Sequence, residues 1–207
     1  MKRPSYHHGD LANALTTAAT QLAREGGPDA IVLREAARQV GVSATAAYRH
    51  FASHGDLMYA VKKRAIDELA AGMRAELAAT DPAPDPKVEA LRRLRALGLG
   101  YLRFALAEPG LFRTAFCRPT PGMPEEPGHE VTLAGAYQML TDCLDSFVAA
   151  GLLPLERRPW AEMFAWSSVH GLAMLLLDGP LRHCPPPDRE RVIARVLDGV
   201  AAGLTAA

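Results

Sequence analysis

The chain reads as all-α, with about nine helices in two parts: a three-helix head with a linker helix, then a larger helical body. Three observations predict this. Apolar residues recur at helical spacing through most of its 207 residues, and no stretch alternates as a strand does. The breaks between periodic stretches are short and marked by Gly and Pro, as at Gly26-Gly27-Pro28 and Asp81–Pro86. Leu33–Phe51, LREAARQVGVSATAAYRHF, reads as two short helices joined at a tight turn. There Ala37 is the small residue where two helices meet, and Gly41, four residues on, is free to take a positive φ.

Residues 1–9 read as a flexible basic arm carrying Lys2 and Arg3, and Asp10 as the N-cap of a first helix. Leu11, Leu15, Ala18, Ala19 and Leu22 give that helix its apolar face. The second helix spans Leu33–Val40, and the third runs from about Ala44 to Phe51 behind a Ser43 N-cap. Ser53 caps the fourth, which starts near Gly55 and runs to about Ala79. The expected division is therefore 1–54 for the head, 55–79 for the linker helix and 80–207 for the body. In the body, periodic stretches predict helices over Lys87–Ala107, Leu111–Phe116, Glu130–Ala150, Arg158–Leu177 and Asp188–Leu204, with a Pro-rich loop at Arg118–Gly128.

Hydrophobic residues make up 49% of the chain, enough to bury a core. Net charge is zero overall, but residues 1–64 hold nine Lys/Arg against five acids, +4, leaving −4 for the rest. A basic head on an acidic body suits contact with a polyanion. Cys117, Cys143 and Cys184 are odd in number and widely spaced, so neither a disulfide framework nor a zinc site is expected. The N-terminus lacks the apolar run of a signal peptide, and the longest apolar stretch, Gly171–Leu177, is too short to span a bilayer. The expectation is a cytoplasmic protein with no cofactor, no metal and no membrane partner.

The helix after the Gly41 turn is a candidate for the DNA major groove, where base edges are met by a helix's first turns. Ser43, Ala44, Thr45 and Ala46 are small enough for close approach, and Thr45 offers a hydroxyl and a methyl to base edges. Tyr48, Arg49 and His50 lie later and suit phosphate oxygens, as do Arg34 and Arg38 on the preceding helix. The first N–H groups of the fourth helix are a further phosphate site.

The stretch from Gly41 to Val61, GVSATAAYRHFASHGDLMYAV, resembles the signature of the TetR (tetracycline-repressor-like) transcriptional regulators. The shared pattern is a Gly-Val-Ser turn, a Tyr-x-His-Phe helix end and a capped fourth helix. Tyr6–Leu11 resembles the opening of one subgroup, and Trp166-Ser-Ser-Val-His170-Gly171 resembles the Trp-x-x-x-His-Gly feature of its body, the WHG domain. The resemblance implies a repressor that binds an inverted-repeat, palindromic operator in double-stranded DNA as a homodimer, released by a small molecule held in the body. Two positions depart from the pattern. His54 stands where the family usually has a phosphate-binding Lys, and an imidazole, unlike an ammonium, is mostly neutral at neutral pH. Val32 stands where a Thr often caps the second helix.

The body carries Phe104, Phe112, Phe116, Tyr137, Met163, Trp166 and His170, which read either as core or as the lining of a mostly apolar ligand cavity, with His170 its polar group. On the last helix Val192, Val196, Val200 and Leu204 form a stripe, with Gly199 and Gly203 permitting close packing. These are the expected dimer interface, a four-helix bundle with a second copy; packing within the monomer is the alternative. Catalysis is not expected: the chain has no GxSxG elbow, HExxH, P-loop or dinucleotide-binding turn, and no spacing pairs Cys117 or Cys143 with His170. The competing functional reading is a helical interaction module, or a small-molecule-binding protein without DNA affinity.

Overall fold

The computed structural model describes residues 8–123 and 134–206. The arm with Lys2 and Arg3, and the stretch with Glu125-Glu126, lie outside the described residues. Every regular element described is helical: α1 (His8–Gly26), α2 (Leu33–Val40), α3 (Ala44–Tyr48), α4 (His54–Ala78), α5 (Pro86–Ala107), α6 (Pro109–Ala115), α7 (Ala134–Ala149), α8 (Ala161–Leu177) and α9 (Pro186–Thr205). The all-α expectation holds.

The chain forms two compact units. One holds Met1–Asp67 with Glu108–Thr132, the other Glu68–Ala107 with Leu133–Ala207. The sequence division at residue 80 follows the Pro-rich break; the contacts instead divide α4 between the units and give α6 to the first.

In the first unit α1 packs against α2 and α6. Leu15, Ala19, Ile31, Ala36, Leu57, Val61 and Phe112 are wholly buried there. The second helical pair closes at Gly41, φ 78°, in the left-handed region a side chain disfavours. Val42 N–H reaches the Ala37 carbonyl at 3.0 Å and Gly41 N–H that of Arg38 at 3.2 Å, a Schellman closure of α2. Gly110 lets α6 approach α1: a Cβ there would lie 2.1 Å from the Ala23 carbonyl oxygen. Arg24 and Glu108 pair at 2.6 Å beside it.

In the second unit α5 is central, packing on α7, α8 and α9, while α8 packs on α9. Asp85 caps α5, its Oδ1 accepting from Lys87 N–H at 2.8 Å. Proline opens α5, α6 and α9, where the missing N–H costs nothing and the fixed φ favours a helix. This is why Pro109 starts α6 rather than merely interrupting the preceding helix.

Several boundaries differ from expectation. Asp10 lies inside α1, which already begins at His8, and is not its cap. The helix expected to reach Phe51 stops at Tyr48, and Arg49 and His50 occupy a turn. The helix expected from Arg158 begins at Ala161, after Trp160 with φ 66°. No periodicity marks that strained residue, which is 79% exposed.

Candidate nucleic-acid interface and body cavity

The turn at Gly41 sets the orientation of α3, and Ser43 fixes its start: its Oγ accepts the Ala46 N–H at 3.2 Å. Thr45, Tyr48 and Arg49 are exposed, Ala44 and Ala46 half-buried, and Ala47 is buried against the rest of the unit. The helix therefore presents one face, with the Thr45 hydroxyl and methyl in its first turn and the Tyr48 phenol, 46% exposed, at its end. His50 is half-buried behind it and Arg34 is exposed on α2. These are groups suited to base edges and phosphates respectively.

Three neighbouring groups are committed elsewhere. Arg38 grips Glu35, Nε on Oε2 at 2.9 Å and the guanidinium on Oε1 at 2.6 Å. This hydrogen-bonded pair holds Glu35 below the usual carboxylate range. Ser53 and Asp56 form a reciprocal cap at the start of α4: Ser53 Oγ accepts Asp56 N–H at 3.0 Å, and Asp56 Oδ2 accepts Ser53 N–H at 2.8 Å. The Asp56 N–H, one of those expected to receive a phosphate, is thus taken. His54, offered by the sequence as a DNA contact, instead sets Nε2 2.8 Å from the Ile31 carbonyl oxygen. Val32 has the extended backbone of an N-cap and no side-chain cap bond, as expected from the missing Thr.

The second unit holds a partly open cavity of about 60 Å³. Its walls are Met73 of α4, Leu94, Leu97 and Tyr101 of α5, Tyr137 and Leu140 of α7, Trp166 and Val169 of α8, and Leu197 and Val200 of α9. Of the seven residues proposed from sequence, Tyr137 and Trp166 line it. Phe112 and Phe116 pack on each other, ring centroids 4.9 Å apart, in the first unit. Phe104 is a core residue of α5. Met163 and His170 lie on α8 outside the lining. The aromatic count pointed to the body, but the cavity wall is mostly Leu, Val and Ala, which composition cannot separate from ordinary core.

His170 is nonetheless tied to the wall. Trp166 Nε1–H donates to the Tyr101 hydroxyl at 3.2 Å, and the Tyr101 hydroxyl lies 2.8 Å from His170 Nδ1. Burial lowers the His170 pKa, which favours the neutral ring, and the tautomer decides which of the two groups donates. Burial also pushes Tyr101 far above a normal phenol.

The α9 stripe needs correction. Val200 and Leu204 are buried in the second unit's core together with Ile193 and Leu197. The buried face of α9 is this Ile-Leu-Val-Leu set, one position away from the simple i, i+4 series. Gly203 serves its own chain, since a Cβ there would lie 2.7 Å from Phe164 Cζ. Val192 and Val196 are half-buried, and Gly199 faces open space. On α8, Phe164, Met174 and Leu175 are 39–45% exposed, and nothing lies within 4 Å of a Cβ built at Gly171.

Burial pushes Cys143 up to about 12 and raises Cys117, so both stay protonated at neutral pH. Among the described residues there is no group of three or more His, Cys, Asp and Glu placed to hold a metal ion, and no helix long and apolar enough to cross a membrane.

Comparison with known proteins agrees with this geometry. The family model of bacterial regulatory proteins, tetR family, matches residues 15–61, and that of the tetracyclin repressor-like C-terminal domain matches 94–200. No curated protein matches by sequence. A protein of unknown function from Rhodococcus sp. RHA1 superposes with TM-score 0.78 at 24% identity, over 98% of this chain and 100% of its own. The TetR family transcriptional regulator PfmR from Thermus thermophilus gives 0.60 at 23% identity, over 92% and 98%. A TetR variant from Acinetobacter baumannii AYE in complex with minocycline gives 0.62 at 18% identity, over 98% and 100%.

Proposed function

Because the chain belongs to the tetR family of bacterial regulatory proteins, we propose that it is a homodimeric repressor released from an inverted-repeat operator by a small molecule. That it is a DNA-binding transcription regulator and not an enzyme follows from the family itself.

The observation that carries the DNA reading is the α2–turn–α3 geometry. A left-handed Gly41 and a Ser43 cap leave Thr45 and Tyr48 on one exposed face. Thr45, with Ala44 and Ala46 allowing close approach, reads bases. Tyr48, Arg49 and Arg34 hold phosphates, with His50 behind them. His54 is a positioning residue. The dimer reading rests on the exposed apolar face of α8, Phe164, Met174 and Leu175, beside open Gly171 and Gly199. Such a face is suited to a second copy of the same pair of helices.

The release reading rests on the cavity and on α4. At about 60 Å³ the cavity is smaller than the ~150 Å³ that admits benzene, so any organic ligand must move its walls. Met73 is one of those walls, and it lies on the same helix whose first turn is pinned to Ile31 by His54. Displacing α4 changes the spacing of two recognition helices in a dimer, and half-site spacing on DNA is fixed.

Filter binding against the DNA upstream of the chain's own coding region tests the reading. Affinity falling by orders of magnitude between about 50 and 200 mM salt is expected. Salt-independent or absent binding would support the helical interaction module instead.

A further inference from the structure

We propose that the β-turn Thr120–Met123 is a positioning element for DNA reading: seated on the first turn of α4, it holds the end of the helix-turn-helix so that α3 can discriminate between sequences. This rests on the reading of α3 as the DNA-reading helix, and adds a part that the helix-turn-helix segment does not itself contain.

Residues 108–123 belong to the first unit although Glu68–Ala107 of the second separates them from the rest of it. They are fixed there at three places. On α1, Glu108 pairs with Arg24 at 2.6 Å, and Gly110 lies against the Ala23 carbonyl. On α4, Lys62 Nζ donates to the Cys117 carbonyl oxygen at 3.1 Å. From there the chain runs back to the start of α4, where Ser53 Oγ lies 3.1 Å from the Gly122 carbonyl oxygen.

Thr120-Pro121-Gly122-Met123 is a type II turn. Met123 N–H donates to the Thr120 carbonyl at 3.1 Å, Pro121 fixes φ at the second position, and Gly122 takes φ 81° at the third. Thr120 Oγ1 is closed off from solvent, so the turn is packed rather than free.

The helix is shaped to receive it. A Cβ at Gly55 would lie 2.1 Å from the Gly122 carbonyl carbon, 2.2 Å from Met123 N and 2.3 Å from the Gly122 carbonyl oxygen, all backbone atoms. Gly55 is not there for its conformation: among the described residues the glycines with positive φ are Gly27, Gly41, Gly122 and Gly151. Alanine suits a helix better than glycine, so what Gly55 supplies is room for the turn. Beside it, His54 is bound to the Ile31 carbonyl. The first turn of α4 is thus held both by the segment before α2 and by the 120–123 turn. α3 ends at Tyr48 and reaches this point through Arg49–Ser53, so the direction of its exposed face depends on where α4 begins. A site that reads chemical detail must be held to within about 0.5 Å by the parts around it.

The test uses Gly55→Ala and Gly122→Val, singly and together, in the full-length protein, with circular dichroism and urea unfolding to establish that each is folded under assay conditions. Valine at 122 cannot take the turn's φ of 81°. Affinity is measured at one salt concentration for the duplex recovered by selection from a randomised pool and for random-sequence duplex. Each variant should lose about tenfold or more on the selected duplex, the scale of a lost base contact, and change by less than about twofold on random duplex, which is held through its phosphates. The double variant should lose no more than the single ones, because the turn can be unseated only once. Should Gly55→Ala unfold the head, Gly122→Val, at an exposed position, carries the test alone. An unaltered preference overturns the proposal. So does tighter binding of the selected duplex, which would make the turn an obstruction, or an equal loss on both duplexes, which would mean lost phosphate contacts rather than lost positioning. A wild-type protein that prefers no sequence removes the DNA reading, and the proposal falls with it.

Discussion

His54 Nε2 lies 2.8 Å from the carbonyl oxygen of Ile31, tying the first residue of α4 to the segment that leads into α2. Ile31 itself is wholly buried, so this tether is anchored in the core of the first unit. His54→Ala is expected to lower stability by about 1 kcal/mol, the usual worth of one such bond. Urea unfolding should show a lower midpoint with an unchanged slope. An unchanged midpoint would mean that the bond has no stabilising role.

Val32 begins α2 without a side-chain cap. Its backbone, φ −127° and ψ 119°, already has the conformation of a capping residue, and its side chain is 46% exposed. Val32→Thr is expected to stabilise the first unit by about 0.5–1 kcal/mol by supplying an acceptor to the first-turn N–H groups. A midpoint shift in the opposite direction contradicts this.

The burial of His170 is expected to make stability depend on pH. Burial lowers the folded-state pKa of His170, so the unfolded chain takes up a proton first as pH falls. The contribution is fully present above the unfolded value of about 6.5 and is lost as pH falls from there through the folded pKa. His170→Gln, which keeps a hydrogen-bonding group for Tyr101 and cannot titrate, should remove this part of the acid-side loss. Stability profiles of the two proteins from pH 8 to 5 that run parallel would refute it.

On α8 and α9, exposure separates the two faces. Leu175, 44% exposed, belongs to the face offered to a second copy, and Val200, 5% exposed, to the core. Leu175→Glu should give folded monomers, seen by sedimentation and circular dichroism, with operator binding lost. Val200→Asp should instead unfold the second unit, because it buries an unpaired charge. Dimers that survive Leu175→Glu would place the interface elsewhere.

Much of the head was legible because its signals are local. Gly41, Ser43 and Ser53 act on backbone within five residues, and each does in the structure what its spacing implies. The resemblance at Gly41–Val61 and Trp166–Gly171 pointed to the correct family for the same reason. What failed depends on tertiary placement. Nothing local shows that Phe112 packs with the first unit rather than around the body cavity, or that His54 turns toward Ile31. On α9 the apolar residues 192, 193, 196, 197, 200 and 204 fit two adjacent stripes. Only packing against α5 and α8 decides that Ile193, Leu197, Val200 and Leu204 go inward. The Trp166–Tyr101–His170 relay joins residues 65 and 69 positions apart, which periodicity cannot bring together.

Selection from randomised duplex DNA decides whether α3 reads an inverted repeat as part of a dimer. The sequences recovered should carry two half-sites related by a two-fold axis. Thr45→Ala should change the preferred base at the same position in both, while Arg34→Ala weakens binding to all sequences alike. Recovery of no enriched sequence, or of a single unrepeated site unaffected by Thr45→Ala, would show that α3 does not read DNA in this way.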